Sequence, residues 1–240
     1  MIKQVLPRSC RGVRCCQRLT NCPRARRADQ DCDAFTLIEL IVVVGIIIVL
    51  AGLVLSTVGY ARKKSARARA EAEIATIAAA CENYKADTGV YPRDPTANTA
   101  TDALNARTMI DPANSNAALY TAASLVLYRA LSGDRNLDRT VTVDDENFNI
   151  DGTALSPPLT QLPRSYFAFK PNMLSPSGGN GNVTALADPF GNRYGYSTAN
   201  QYDLNTGFNP TFDLWSTAGA APSPTPSPPA MQQNLWIKNW

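Results

Sequence analysis

Phe35-Thr36-Leu37-Ile38-Glu39-Leu40-Ile41-Val42-Val43-Val44-Gly45-Ile46-Ile47-Ile48-Val49-Leu50 is the stretch on which the fold turns. It opens a run from Leu40 to Ala61 of 22 residues without a charge, mostly Ile, Val, Leu, Ala and Gly. At ~1.5 Å per helical residue the run reaches about 33 Å, enough to cross a hydrocarbon core of ~30 Å. A cleaved secretory signal has a shorter apolar core, about 7–15 residues, with a small-residue site after it. Here Ala51-Gly52-Leu53 lies inside the run and no such site follows, so a spanning helix is expected. No second stretch of this kind exists, which limits the chain to one anchor.

The residues on either side set its surroundings. Residues 1–34 hold eight basic side chains against three acids, while the other 206 residues carry 15 basic and 17 acidic. The more positive flank stays in the cytoplasm, which places the body outside the inner membrane. Arg62, Lys63, Lys64, Arg67 and Arg69 follow the run and either meet anionic headgroups or form a solvated helical turn. Five of six cysteines (Cys10, Cys15, Cys16, Cys22 and Cys32) sit in the head without paired C-x-x-C spacing, so no metal site is read there. Cys81 alone is left in the body and has no internal disulfide partner.

Over 240 residues the net charge is only +3, too weak to argue for nucleic acid. The chain contains no histidine. That excludes Ser-His-Asp and Cys-His catalysis and the histidine-ligated zinc hydrolases. Carboxylate, lysine and metal-carboxylate chemistry survive.

Glu39 stands at the edge of the apolar run. A carboxylate facing lipid at depth costs up to ~3 kcal/mol, less at the interface. It either snorkels to the headgroups or awaits a positive partner, and the next 22 residues offer none. A cut between Ala34 and Phe35 would create an ammonium four residues away, or present one from a neighbouring chain.

Phe35-Thr36-Leu37-Ile38-Glu39, followed by a long apolar helix, resembles the processing and methylation motif of type IV prepilins and type II secretion pseudopilins. The resemblance implies that a prepilin peptidase cuts before Phe35 on the cytoplasmic face and methylates the new amine. Ala34 would be the last leader residue, where the family usually has glycine. Glu39 would pair with the N-terminus of a neighbouring subunit during assembly. Residues 1–34 would be a leader, long for the family.

Beyond the run the helix continues. From Arg62 to Asp87 there is no Pro or Gly. Ile74, Ile77, Ala78, Cys81 and Tyr84 recur at spacings of three and four, one face of an amphipathic helix. Asp87-Thr88-Gly89 ends it, with Gly89 suited to the left-handed closing position. Residues 93–114 read as a loop. Residues 115–131 read as a second helix, capped by Ser115, with Leu119, Ala123, Val126, Leu127 and Ala130 inward and Ser132-Gly133 as its stop. Asp134-x-Asn136-x-Asp138 imitates the start of a calcium loop. Arg139 stands where that loop needs glycine, and Asp145 where it needs glutamate, so the segment reads as a solvated acidic loop. Strands are expected at Ser165–Phe169, Tyr194–Tyr196 and Phe212–Trp215, with Asp188-Pro189-Phe190-Gly191-Asn192 as a turn.

The resemblance returns at the two ends of the body. Thr88-Gly89-Val90-Tyr91-Pro92 is similar to the helix-ending segment of major pseudopilins, and Asp188–Tyr196 with Phe212–Ser216 to their C-terminal sheet. Residues 93–187 would be a variable insertion. In that subfamily aspartates after the serine bind a structural calcium. Here Ser216-Thr217-Ala218-Gly219-Ala220-Ala221 has none, so no metal or other cofactor is carried over. Residues 222–229 are expected to be extended polyproline-like chain within a Pro-rich tail, 222–240. Trp236 and Trp240 would dock back onto the body or serve an exposed binding tail.

The expected architecture is α+β and pilin-like: a long N-terminal helix, membrane-spanning over 35–61 and amphipathic over 62–87, packed on a small antiparallel sheet within a periplasmic body, 88–221. The implied function is assembly, not catalysis, with the chain anchored once in a bacterial inner membrane and then built into a periplasmic pseudopilus. Its implied partners are copies of itself, the prepilin peptidase, other pseudopilins, the inner-membrane assembly platform and membrane lipid. A type IV pilus subunit is the first alternative. A membrane-anchored periplasmic enzyme is the second, disfavoured by the missing histidine and the lack of a convergent acid/base pair.

Overall fold

The computed structural model describes residues 35–179, 181–219 and 233–240. Ala34, the head cysteines and the polyproline segment 222–229 lie outside them. The fold is α+β, with one long apolar N-terminal helix and two small antiparallel sheets.

Helix α1 runs Leu37–Thr88, 52 residues without a break. It is the one described helix long and apolar enough to cross a membrane. The chain divides into two units at Ala51/Gly52. In the first, every residue from Phe35 to Ala51 is exposed. In the second, the helix acquires a buried face at Ala70, Ile74, Ile77, Ala80 and Cys81. Ala78 and Tyr84 pack against the same core, as their spacing predicts. The helix ends where expected: Gly89 sits at φ +82 and its N–H donates to Lys85 O at 2.7 Å. Only glycine takes that left-handed position without steric cost.

Helix α2 is a single turn, Ala100–Ala103, inside the segment expected to be all loop. Asp102 explains it. Its buried carboxylate receives Arg93 Nε at 2.9 Å and Nη2 at 2.7 Å, plus the Thr198 hydroxyl at 2.8 Å, and so pins the turn to the body. Helix α3, Ala117–Ser132, buries Ala123, Val126, Leu127 and Ala130 and leaves Leu119 half-buried. Its stop is Gly133 at φ +84. The N-cap is Asn116 and not Ser115, and no side chain caps it. Asp111 gathers this entry, its carboxylate accepting from Ala113, Asn114 and Ser115 N–H groups.

The strands are minimal. β1 (Leu174–Ser175) pairs antiparallel with β2 (Ala185–Leu186). β3 (Gly195–Ser197) pairs with β4 (Asp213–Ser216), and β4 with β5 (Ile237–Lys238), all antiparallel. A one-turn helix α4, Ala199–Tyr202, follows β3. The strand expected at Ser165–Phe169 is absent. The backbone bends at Tyr166, and Tyr166 and Phe167 both donate to Leu131 O (2.7 and 2.9 Å) and close the carboxyl end of α3. Satisfying an orphan helix carbonyl took precedence over a ladder. Its aromatic side chains then cover α3, with Phe169 5.2 Å from Tyr128 between ring centroids.

Two larger clusters hold the body together, with a small third one of Val126, Ala130 and Ile150. One joins α1 to α3 and both sheets through Ile77, Cys81, Leu131, Leu186, Tyr196 and Leu214. The second is aromatic, around Trp215, Trp236 and Tyr120. Segment 93–187 supplies residues to both, so it is part of the core. The tryptophans of the tail dock as expected: Trp236 stacks on Trp215 at 5.8 Å, and Trp240 meets its edge at 5.9 Å. Cys81 is free and fully buried, and burial pushes its thiol well above the usual range.

Candidate functional site

The start of α1 is built from four residues. Phe35 precedes the helix and is 83% exposed. Thr36 holds the N-cap position before Leu37, and Glu39 is the third helical residue. The Thr36 N–H and hydroxyl donate to Glu39 Oε2 at 2.9 and 2.8 Å, while Glu39 N–H donates to Thr36 Oγ1 at 3.3 Å. This reciprocal pattern is a capping box, and the T-x-x-E spacing that announces it stands in the sequence. Reading Glu39 only as an acid in need of a cation missed that local partner. The capped carboxylate still carries its charge at the exposed edge of an apolar helix. Oε1 has no partner among the described residues.

From Leu37 to Leu55 the large apolar side chains are 46–76% exposed, a continuous surface over five helical turns. A monomeric soluble protein does not leave so large an apolar face uncovered. Lipid or the same helix of another copy can cover it. Both satisfy the backbone internally, because the helix makes its own hydrogen bonds.

The acidic segment after α3 corrects the expected solvated loop. Asp145 is fully buried; its Oδ1 accepts from Arg135 and Asn136 N–H (2.6 and 3.0 Å), and its Oδ2 from Thr142 N–H (2.7 Å). Asp134 is equally buried and receives the Tyr128 hydroxyl and Arg139 N–H, both at 2.7 Å. These carboxylates organise backbone, in which Leu137 and Arg139 adopt φ +70 and +77. Among the described residues no three His, Cys, Asp or Glu side chains converge as metal ligands.

Asp188 does similar work in the expected turn. Its Oδ1 accepts from Phe190 and Asn192 N–H (3.0 and 2.8 Å), and Ser216 Oγ donates to Oδ2 at 2.5 Å. Asn192 Nδ2 also donates to Thr217 Oγ1 at 3.1 Å, so the segment after Ser216 is fastened to the turn by hydrogen bonds. Burial raises the Asp188 carboxyl above its ordinary range, with the Ser216 and backbone bonds opposing. A raised folded value means that the native state holds the proton more tightly. The stabilisation from protonation is therefore full below the unfolded value, 3.8, and is lost as pH rises through the folded one. Asp188→Asn removes this dependence. The stability of the variant relative to wild type is expected to increase between pH 4 and pH 7 in thermal melts; a constant difference contradicts it.

No family model matches the chain, and no curated protein or solved structure matches it either.

Proposed function

We propose that the chain is a pseudopilin, a structural subunit that polymerises through its N-terminal helix into a pseudopilus of a type II secretion system. Prepilin peptidase cuts between Ala34 and Phe35 and methylates the Phe35 amine. The body then lies in the periplasm, and the apolar helices bundle as the subunits are assembled. Glu39 pairs with the amine of a neighbouring subunit and fixes the stagger, because a misplaced subunit leaves both charges unpaired in an apolar core.

One observation carries the reading: a single unbroken helix is apolar and exposed over its first five turns and buried on one face from Ala70, with an acid at its third position. An anchored enzyme needs the first feature and would gain from the acid only its helix cap, not its charge. It also needs a reacting centre. The buried Asp145 holds backbone through both oxygens and Asp188 through one, and Asp134 does so through Oδ2, its Oδ1 having no partner among the described residues.

The test is a secretion assay in the native host. Removing the chain is expected to leave exported proteins trapped in the periplasm, with surface motility and DNA uptake unchanged. The reverse pattern would assign it to a type IV pilus, which shares the helix start.

A further inference from the structure

Just past the uncharged run, Tyr60, Lys63, Lys64 and Arg67 fall at the i, i+3, i+4 and i+7 positions of one helical face. All four are exposed, but they do not face solvent alone. Phe190 of the Asp188–Asn192 turn and Gly219 of the segment after β4 stand opposite, and together they line a cleft of about 450 Å³. No acid lines it. Arg67 is held in place by Glu71 (3.3 Å) and by Leu235 O, which accepts from its Nη1 at 3.0 Å. Lys63 and Lys64 have no ion-pair partner among the described residues.

Depth makes the cleft specific. Lys63 and Arg67 lie two and six residues beyond Ala61, so about 3 and 9 Å further along the helix. The headgroup layer is about 5–7 Å thick on each side of the hydrocarbon. A lipid phosphate would therefore meet two free ammonium groups in a cleft whose Tyr60 and Phe190 rings can border the upper part of an acyl chain.

We propose that this cleft binds the phosphate headgroup of an anionic phospholipid from the leaflet that faces the body. The inference requires only that Leu40–Ala61 spans a bilayer, and so it stands apart from the filament reading. The experiment uses the full chain in vesicles of phosphatidylcholine with phosphatidylglycerol. Spin-labelled versions of each lipid report the fraction held at the protein, and flotation with the vesicles confirms insertion. Wild type is expected to retain phosphatidylglycerol preferentially. Lys63→Gln and Lys64→Gln are each expected to reduce that preference roughly fivefold. Arg62→Gln, one residue away but outside the cleft, is expected to change it less than twofold. Equal losses from all three would reduce the effect to a general basic field and overturn the cleft. Displacement of the lipid by millimolar inorganic phosphate would overturn the assignment to a headgroup. Loss of self-association in the lysine variants with lipid preference intact would give the surface to a second copy and also overturn it.

Discussion

Glu39→Ala and Glu39→Gln are both expected to be processed and inserted, and both to fail in filament assembly. The pair separates the capping contact seen in the structure from the proposed pairing with a neighbour. As the third residue of the capping box, Glu39 accepts the Thr36 N–H and hydroxyl. Losing such a cap costs about 0.5–2 kcal/mol, confined to the first helical turn. Glutamine keeps those acceptor bonds, so a capping role predicts that Glu39→Gln assembles like wild type. The charge role predicts otherwise. In an apolar core either variant leaves the neighbour's ammonium without its counter-ion, and breaking a buried pair costs about 3–5 kcal/mol. At ~1.4 kcal/mol per tenfold, that is at least a hundredfold in subunit affinity at every step of growth. Sheared filament yield measures it. Normal yield from Glu39→Gln, with loss only from Glu39→Ala, would remove the charge from the account and leave the cap.

The second large effect lies in the aromatic cluster. Gly195 of β3 faces Trp215 of β4, and a Cβ there would stand 2.1 Å from Trp215 Cε2 and 2.3 Å from Cζ2. The indole cannot retreat cheaply. Its N–H donates to the Tyr120 hydroxyl at 3.0 Å, Trp236 stacks on it, and Tyr120 meets it edge-on at 5.6 Å. Gly195→Ala must therefore open the sheet or the cluster. Overpacking of this kind costs about 3 kcal/mol, at the upper end of its usual range. For a body of this size that lowers the melting temperature by roughly 6–12 °C. Tryptophan fluorescence of the full chain in detergent reads it. Gly59→Ala, with nothing within 4 Å of the added carbon, is the control and is expected to be neutral or stabilising. A melting temperature within 2 °C of wild type for Gly195→Ala would mean that β3 and β4 do not pair in this register.

What could be read from sequence alone followed from period and punctuation. α1 announced itself through an uncharged run and then through Ile74, Ile77 and Cys81 at helical spacing, and Gly89 marked its end. α3 was legible for the same reason, within two residues at its start. The strands expected at Tyr194–Tyr196 and Phe212–Trp215 are present within one residue as β3 and β4; the other strands were not legible. Two residues hold too little alternation to distinguish a ladder from extended chain. Ser165–Phe169 alternates well yet caps a helix, whereas Leu174–Ser175 and Ala185–Leu186 pair without any pattern to show it. The acids of the 134–145 segment misled because charge usually means solvent. Asp145 is buried where three backbone N–H groups converge on it, and Asp134 where the Tyr128 hydroxyl and Arg139 N–H meet its Oδ2, an arrangement set by the loop's path and invisible in composition. At the helix start, both Thr36 and Glu39 were in view, and the shared spacing of a capping box was the signal left unused.

The central claim, that the helix beginning near Phe35 is a processed assembly element, is tested most directly by the intact mass and first residue of the protein from its own membranes. A chain beginning at N-methylated Phe35 is the predicted result. A chain that retains residues 1–34 in cells with an active prepilin peptidase would contradict it and leave a plain membrane anchor.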